Sequence, residues 1–259
     1  MILCTALAAA LATATPGSVI AVTGTCPATT IAPATFKPAV TIDARAARFA
    51  GTLTLDHVSG LAINGGTYGP IAYKAGSAIT ILASSFVTVQ HARIADVDRG
   101  IKIGPGSFDV LIARNRFDRM RVDGVDITAR RVTVDRNVFT GSTQSGLEHP
   151  DCIQGWSRPD AIVADVTVTN NSCTGHTQGI SFFNHIRAGI DDGGFDRITI
   201  RGNAVNVTES NGIGVADCRD CIVEGNTLPM TDRHINRITV WRPVRWTPGV
   251  NAAAVGIMP

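Results

Sequence analysis

The chain has 259 residues, of which 44% are hydrophobic and 17% are charged, and it contains 26 glycines. The net charge of +2 and the 5% aromatic content argue against a nucleic-acid-binding protein. No apolar run approaches the ~20 residues that a membrane-spanning helix requires, so we expect no membrane partner. This composition is typical of a soluble, turn-rich all-β protein folded as one domain.

The N-terminal segment, residues 1–17, predicts a short capping helix. Leu7 and Leu11 fall on one helical face, and a Pro-Gly pair ends the segment before the first strand. The first basic residue of the chain is Lys37, so the positively charged start of a secretory signal peptide is missing here. We expect the helix to cover the open end of a stacked fold, because a terminal coil otherwise exposes its core.

Five segments repeat one pattern, in which two apolar residues flank one position and an asparagine follows. They read VLIARN, VTVDRN, VTVTNN, ITIRGN and CIVEGN, and they start at residues 110, 132, 166, 198 and 221. The starts are therefore 22, 34, 32 and 23 residues apart. A period in the low twenties with a β-branched core indicates a solenoid of stacked strands, which we interpret as a single-stranded parallel β-helix.

The repeated asparagine marks one corner of each regular coil. These residues are Asn115, Asn137, Asn171, Asn203 and Asn226. We expect their side-chain amides to bond to the coils above and below as an inward ladder. Since asparagine tolerates left-handed backbone angles, we also expect it to form the sharp bend. The pattern ends after the last asparagine, so we predict coils over residues 18–240 and a C-terminal cap over 241–259.

A second strand follows in each coil, and its polar residues align in columns. The inward positions are Ile101, Val125, Ile153, Ile180 and Ile213. The next residues point outward, because side chains alternate along a strand, and they are Lys102, Asp126, Gln154, Ser181 and Gly214. A polar column at the bend that enters the strand consists of Arg99, Asp123, Asp151, Gln178 and Asn211. The column before it consists of Val97, Arg121, His149, His176 and Glu209.

Stacking of the coils brings charged side chains together. Parallel strands lie about 4.8 Å apart, so Asp123 is expected beside Asp151, and Lys102 beside Asp126. Neighbouring carboxylates raise each other's pKa unless a cation separates them. The carboxylates Asp123, Asp126 and Asp151 therefore indicate a bound calcium ion, a basic partner, or a shared proton that makes one of them a general acid.

The segment from residue 146 to residue 156 contains the most side chains that could take part in a reaction. Its His149 is our first candidate for a catalytic base. Trp156 ends the second strand as a platform for a sugar ring, and Arg158 follows on the same loop. Insertions in the two longest coils are expected to wall a groove beside this strand. The residues expected to position a substrate there are Lys102, Asp126, Gln154, Trp156, His176, Gln178, Ser181 and His185.

Six cysteines are present, and sequence alone leaves their pairing open. Cys4 and Cys26 lie where a disulfide would tie down the N-terminal cap, but their spacing also allows free thiols. Cys173 falls in a column of core residues, and we interpret it and Cys221 as small core side chains. Cys218 and Cys221 form a C-x-x-C pair that lacks the second pair of a zinc site.

The repeated pattern of strands and turns, with an asparagine at one corner of each regular coil, resembles that of the right-handed parallel β-helix proteins. Most of these act on polysaccharides, as pectate and alginate lyases, uronate epimerases, polygalacturonases and phage tailspikes. The His-x-Asp element formed by His149 and Asp151 resembles the histidine motif of the epimerases and some lyases. The resemblance implies a secreted or periplasmic protein that acts on an acidic polysaccharide by β-elimination.

In a lyase of this kind, a base removes the proton next to a carboxylate whose charge must be neutralised. The resemblance implies that His149 is the base and that Arg121 and Arg158 bind the carboxylate. Asp123 and Asp151 then hold a calcium ion or orient the histidine; no other cofactor is implied. A monomer is expected, with a tailspike-like trimer as the alternative.

Three other functions remain open. The segment DGVDI, Asp151-Cys152-Ile153 and the segment around His176 resemble polygalacturonase motifs, which implies a glycoside hydrolase. Pro150, however, replaces one carboxylate on which hydrolysis with inversion depends. Proton abstraction also begins C5-uronate epimerisation. A non-catalytic glycan-binding or adhesive solenoid is the third alternative, and it has no need of His149.

Overall fold

The computed structural model describes residues 1–143, 149–184, 186, 191–229, 236–243, 245, 247–251 and 255–258. It confirms an all-β solenoid in which strands of successive coils pair in parallel. A short 3-10 turn at Cys4–Ala6 leads into the α-helix Leu7–Ala12. Within the described ranges, no helix has the length and apolarity needed to cross a membrane.

The strands in the described ranges form three sheets. The ten-stranded sheet contains Thr29–Ile31, Leu53–Asp56, Ser77–Leu82, Arg99–Ile103, Val125–Ile127, Asp151–Trp156, Gln178–Phe183, Ile213–Ala216, Ile238–Trp241 and Val255–Met258. The seventeen-stranded sheet contains Ile2–Leu3, Val19–Cys26, Ala34–Phe49, Val58–Asn64, Thr67–Tyr68, Ser85–Gln90, Arg93–Ala95, Phe108–Ala113, Arg116–Met120, Arg130–Asp135, Val138–Ser142, Thr167–Thr169, Ser172–Gly175, Thr199–Arg201, Ala204–Val207, Ile222–Glu224 and Thr247–Pro248. The three-stranded sheet contains Val163–Ala164, Phe195–Asp196 and Cys218–Arg219.

The register of the ten-stranded sheet reproduces the predicted columns. Lys102 pairs with Asp126, Asp126 with Gln154, and Gln154 with Ser181. The inward residues between them are fully buried in one continuous core. Because side chains alternate along a strand, the outward column is presented as a single line on one face of the solenoid.

An asparagine ladder runs through the interior of one corner, and it consists of Asn115, Asn137, Asn171, Asn203, Asn226 and Asn251. Asn171 shows the repeating contacts. Its Oδ1 accepts hydrogen bonds from the backbone N–H and side-chain Nδ2 of Asn137 at 2.9 and 3.1 Å, and its Nδ2 donates to the Val134 carbonyl at 2.9 Å. The ladder therefore pairs backbone groups that the turn would otherwise leave buried and unbonded.

The bend itself is made one residue earlier than we expected. The residue before each of five ladder asparagines has a positive φ, and these residues are Arg114, Arg136, Asn170, Gly202 and Gly225. His91 does the same before Ala92, whose N–H donates to Asn115 Oδ1 in the ladder position. The ladder side chain must point inward to bond, so the left-handed turn falls on its exposed neighbour. The expectation that asparagine supplies the left-handed angle was wrong.

A second corner carries a column of alternating charges that the sequence analysis missed. This Asp–Arg ladder consists of Asp109, Arg131, Asp165, Arg197, Asp220 and Arg245, and every member has a positive φ. Each arginine makes two hydrogen bonds to the carboxylate of the preceding coil, as Arg131 does to Asp109 at 2.7 and 3.1 Å. Opposite charges thus meet at every step from Asp109 to Arg245.

Three disulfides lie in the described part of the chain: Cys4–Cys26, Cys152–Cys173 and Cys218–Cys221. The first ties the N-terminal cap to the first coil. Cys173 and Cys221 are core residues, as the sequence indicated, and each also forms a disulfide that the sequence analysis did not predict. The reason is visible one coil earlier, where a Cβ at Gly124 would lie 2.5 Å from the Phe139 ring. Cys152 occupies the glycine position and Cys173 the phenylalanine position, so a disulfide replaces a glycine–phenylalanine contact across the core.

The two ends of the solenoid differ from each other. At the N-terminus, Leu7 and Leu11 are buried against the first coils, which confirms the capping helix. At the C-terminus, Ile222–Glu224 pairs with Thr247–Pro248, and Ile238–Trp241 pairs with Val255–Met258. Asn251 also continues the asparagine ladder. Parallel pairing of strands therefore continues beyond residue 240, where the sequence analysis placed the start of the cap.

Replacing Asn171 with alanine should lower the free energy of unfolding by about 2–4 kcal/mol, because it leaves a buried N–H and a buried carbonyl without partners. The matched control is Asn206→Ala, which removes an exposed asparagine from a neighbouring strand and should cost less than about 0.5 kcal/mol. Urea denaturation of both variants measures the difference. Equal losses would show that the ladder contributes no more than any surface asparagine.

Candidate active site

The outward column of the ten-stranded sheet is polar and yet almost completely shielded from solvent. Asp126, Gln154 and Ser181 are 7%, 2% and 0% exposed, respectively, although their side chains point away from the core. Asp123 and Asp151 precede them in their coils, at the entry to the strand, and are each 1% exposed. Polar groups are buried in this way only when partners compensate them, so their contacts determine what the cluster can do.

Asp151 lies at the centre of the cluster and accepts several hydrogen bonds. The Ser181 hydroxyl donates to Asp151 Oδ1 at 2.5 Å, and Gln154 Nε2 donates to Oδ2 at 3.1 Å. Burial raises the pKa of Asp151, while the contacts from His149 and Ser181 act in the opposite direction. Two adjacent coils thus combine to hold one carboxylate in a fixed orientation.

His149 lies beside this carboxylate at the edge of the cluster. Its Nδ1 is 3.5 Å from Asp151 Oδ2, and its side chain is 55% exposed. The Asp151 carboxylate raises the pKa of His149 above its ordinary value, although partial burial opposes the effect. A buried aspartate behind a solvent-exposed imidazole orients the ring and leaves Nε2 facing outward.

Asp123 and Asp126 form a second part of the cluster with Arg99. Arg99 Nε lies 3.5 Å from Asp123 Oδ2 and 3.5 Å from Asp126 Oδ2. Burial raises the pKa of Asp123 well above its ordinary range, and the nearby carboxylates of Asp151 and Asp126 add to the effect. Burial likewise raises the pKa of Asp126, although the positive charges of Arg99 and Lys102 act to lower it. The single guanidinium therefore offsets only part of the charge.

A groove of about 370 Å³ lies beside the cluster and meets it at Asp126. Its lining consists of Lys102, Asp126, Thr128, Trp156, Ser157, Arg158 and Asp192. Trp156 is half-buried in its wall and donates a hydrogen bond from Nε1 to Gln154 Oε1. Ser157 donates to Asn184 Oδ1 at 2.7 Å, and Asn184 Nδ2 donates to Asp217 at 2.9 Å, so the inserted loops are fastened to each other and to the next coil.

The other predicted site residues are distributed unevenly around this groove. Arg158 lines it and pairs with Asp160 at 2.9 Å. Gln178 stands in register with Asp151 and is 7% exposed. His176 pairs instead with Glu209, at 3.0 Å. His185 lies outside the described residues.

Arg121 does not face the cluster. Its Nε bonds to Asp98 at 2.6 Å, and its two terminal nitrogens donate to backbone carbonyls of Asp96 and Ile71 at 3.1 and 2.5 Å. The side chain reaches towards the preceding coils, because Asp98 and two carbonyl oxygens there accept hydrogen bonds from its three nitrogens. Arg99, which leads the same polar column as Asp123 and Asp151, lies in the cluster in its place. The position of the charged Arg99 at the start of that column was the sequence signal that could have placed it in the cluster.

The contacts of the three carboxylates bear on the calcium ion that the sequence suggested. Arg99 lies between Asp123 and Asp126, and both oxygens of Asp151 accept hydrogen bonds from Ser181 and Gln154. Within the described ranges, no group of three or more His, Cys, Asp or Glu side chains is arranged to hold a metal ion. Calcium ligation by these aspartates therefore does not fit the contacts that they make.

A family model for the right-handed β-helix region matches residues 77–234, which is more than half of the chain. The protein therefore belongs to the right-handed β-helix family. No curated protein matches the chain significantly.

Solved structures with the same fold include the surface adhesin PfbA of Streptococcus pneumoniae, with a TM-score of 0.62, 13% identity, and coverage of 95% of this chain and 72% of the adhesin. An alginate lyase from Paenibacillus sp. str. FPU-7 has a TM-score of 0.58 and 13% identity, with coverage of 100% of this chain and 96% of the lyase. A mannuronic acid specific polysaccharide family 6 lyase from human gut microbiota has a TM-score of 0.53 and 12% identity, with coverage of 100% and 76%.

The raised pKa of Asp123 predicts how the stability of the folded protein depends on pH. The folded protein keeps this proton at pH values where the unfolded chain, with its ordinary value of 3.8, has lost it. The contribution of Asp123 to stability is therefore largest at low pH and is lost as the pH rises above that value. Asp123→Asn cannot ionise and still accepts the Asp151 N–H, so the variant should gain stability relative to the wild type as the pH rises.

The control is Asp109→Asn, whose aspartate has a pKa lowered by its hydrogen bonds from Arg131. Its contribution is present above 3.8 and is lost as the pH falls, so this variant should be less stable at neutral pH and approach the wild type in acid. Urea denaturation across the pH range measures both. A constant difference between Asp123→Asn and the wild type would show that Asp123 ionises normally in the folded protein.

Proposed function

We propose that this protein is a polysaccharide lyase that cleaves an acidic, uronate-containing polysaccharide by β-elimination. The observation that carries the proposal is the pair formed by His149 and Asp151. An exposed imidazole is held from behind by a buried carboxylate, and Gln154 connects that carboxylate by hydrogen bonds to Trp156, which lines a groove together with the basic side chains Lys102 and Arg158. Alginate lyases are among the solved proteins of similar fold, which supports a carbohydrate substrate.

In this mechanism His149 acts as the base. Its outward Nε2 accepts the proton from the sugar carbon next to the carboxylate, and the electron pair left behind is delocalised onto that carboxylate. The C4–O4 bond then breaks as the new C4–C5 double bond forms, and the departing oxygen takes a proton from water or a neighbouring acid. Asp151 stabilises the imidazolium that results, which is the usual role of an aspartate behind a catalytic histidine.

Recognition of the substrate carboxylate falls to Lys102 and Arg158, which both line the groove. Positive charge near the carboxylate stabilises the enolate-like state that follows proton removal. Arg158 is exposed and shares its charge with Asp160, so a uronate carboxylate can compete for its guanidinium. We leave Arg121 out of this mechanism because Asp98 and two carbonyls already occupy it.

Burial argues for elimination over hydrolysis. A hydrolase with inversion needs one carboxylate to activate water and another to protonate the leaving group, and both must reach the sugar. Asp123 and Asp151 are each 1% exposed, whereas the His149 side chain is 55% exposed. Of these three groups, the imidazole is the one that can reach a sugar carbon, and Asp123 and Asp151 act behind it.

We expect such an enzyme outside the cytoplasm, as a secreted or periplasmic monomer. The disulfides Cys4–Cys26, Cys152–Cys173 and Cys218–Cys221 support this location, because disulfides persist mainly in oxidising compartments. No step of the mechanism uses a metal ion, so activity should survive treatment with a chelator.

The first test measures ultraviolet absorbance from the new C4–C5 double bond, on a panel of polyuronates with and without chelator. Wild-type protein should produce the signal on at least one substrate, and His149→Ala should lower its rate by about 10²–10⁴-fold, as expected for loss of a general base. The matched control is His57→Ala, an exposed histidine that pairs with a neighbouring aspartate, Asp56, away from the groove. It should leave the rate unchanged.

The other functions have distinct signatures in the same assay. New reducing ends without absorbance would identify a hydrolase, and inversion at C5 without cleavage would identify an epimerase. Binding of a polyuronate with neither reaction, unaffected by His149→Ala, would identify a glycan-binding module. Each of these results contradicts the proposed elimination.

The pH dependence tests the role of Asp151. His149 is active as a base only above its pKa, which Asp151 raises, so the wild-type rate should increase as the pH rises through that elevated value. Asp151→Asn should move this rising limb to lower pH and reduce the plateau by about 10²-fold or more, because the imidazolium loses its counter-charge. Melting temperature confirms folding. An unshifted limb would exclude His149 as the titrating base.

Arg158 is tested through substrate affinity. Arg158→Gln should raise KM for a polyuronate by about tenfold, since a charged hydrogen bond of this kind contributes roughly 1.5 kcal/mol. Arg245→Gln is the control, because Arg245 also pairs with an aspartate, Asp220, but is not among the residues that line the groove. Equal effects of the two substitutions would show general charge attraction, with no specific role for Arg158.

A further inference from the structure

An aromatic stripe continues the outward face of the ten-stranded sheet beyond the polar cluster. Its members are the last residues of their strands, and each is half-buried: Trp156, Phe183 and Trp241. Trp156 pairs in register with Phe183, and Ala216 pairs with Trp241. The stripe therefore runs along the solenoid axis, from the groove towards the C-terminal coils.

Phe183 and Trp241 approach each other across an intervening coil. Their strands are two coils apart, which is about 10 Å between backbones. Their ring centroids are nevertheless only 5.8 Å apart, with the planes inclined at 51°. The Trp241 ring therefore leans back over the coil between them towards Phe183.

Glycine at position 214 makes this arrangement possible. A Cβ on Gly214 would lie 3.0 Å from the Trp241 ring and 3.7 Å from the Phe183 ring. The outward column that carries Asp126, Gln154 and Ser181 thus continues with a residue without a side chain, and two aromatic rings close over it. Ala216, the other outward residue of the same strand, is also small.

The core does not require these rings. The inward positions next to them are occupied by Phe182, Val215 and Val240, which are fully buried. Phe183 and Trp241 point to the opposite side of the sheet and keep part of their surface in solvent. Aromatic rings presented in this way offer an apolar face of the kind on which a sugar ring stacks, with a polar tip on tryptophan.

We infer that Phe183 and Trp241, which we call the aromatic platform, form a subsite that stacks against a pyranose ring of a bound oligosaccharide. The inference rests on the proposed function for its class of ligand. The chain would lie along the solenoid axis, with its reacting uronate at His149 and a sugar further along it on the platform. The platform lies on average about two coils beyond Asp151, so the occupant must extend about 10 Å from the reacting sugar.

The experiment compares rates on oligouronates of increasing length. Trp241→Ala should lower kcat/KM for long oligomers by about tenfold, in the range of aromatic stacking contributions. It should leave the rate on the shortest cleaved oligomer unchanged, because that chain does not reach the platform. Trp241→Leu is the second variant, since it keeps an apolar cover over Gly214 without a flat ring, and it should show the same loss.

The matched control is Phe86→Ala, which removes a 59% exposed phenylalanine from the seventeen-stranded sheet, and it should not alter the dependence on length. If Trp241→Ala and Trp241→Leu melt as the wild type does and retain its dependence on length, the platform inference is wrong and the lyase proposal stands. A loss of equal size for all lengths also overturns it, because that result indicates a general change in the groove.

Binding separates the platform from the reaction. Calorimetric titration of His149→Ala with a long oligouronate measures affinity without turnover. If the wild-type protein cleaves no polyuronate but the titration shows binding that Trp241→Ala weakens about tenfold, the lyase proposal fails and the platform stands. If there is neither turnover nor binding, both fail.

Discussion

The structure depends on hydrogen bonding at the inner corner of each coil. A chain that turns sharply inside a core must leave backbone N–H and C=O groups without strand partners, and each such group is costly when buried. The asparagine ladder bonds these groups with one side chain per coil, and each amide bonds to the same atoms of its neighbours. Register is therefore set at every step from residue 115 to residue 251. The polar side chains of the ten-stranded sheet follow the same register, which is why they form straight columns.

The candidate site combines burial and charge in an unusual proportion. Three aspartates lie within adjacent coils, and one guanidinium, Arg99, contacts two of them. Burial and the nearby carboxylates consequently raise the pKa of Asp123 well above its ordinary value, whereas Asp151 accepts hydrogen bonds from the hydroxyl of Ser181 and the amide of Gln154. The two carboxyls thus differ in chemistry although they occupy the same column. Of the two, Asp151 has an exposed imidazole beside it, which is why the proposed mechanism makes His149 the base.

The period of the sequence was sufficient to predict the fold and the columns of the second strand. Lys102, Asp126, Gln154 and Ser181 align as expected, because alternation and coil spacing leave no freedom once the register is known. The direction of long side chains was not predictable in the same way. Arg121 turns towards Asp98 in an earlier coil, and only the three-dimensional positions of the carbonyls there determine that choice.

Two further features depended on information that the repeat does not contain. The bridge between Cys152 and Cys173 requires knowing that a glycine of one column contacts an aromatic residue of another across the core. The last coils lack the V-x-V pattern, and Pro248 even stands in the place of the second apolar residue of CIVEGN. Their pairing is recognisable from Asn251, which keeps the hydrogen bonds of the ladder when the apolar pattern has gone.

The Asp–Arg ladder also constrains how this solenoid can change in length. Its six positions alternate in sign from Asp109 to Arg245, and each arginine binds the carboxylate of the coil before it. Loss or duplication of one coil would bring two aspartates or two arginines together at the join, and adjacent like charges destabilise a sheet. Loss or duplication of two coils would keep the alternation intact. In this part of the molecule the unit of evolutionary growth, and of any engineered extension, is therefore a pair of coils.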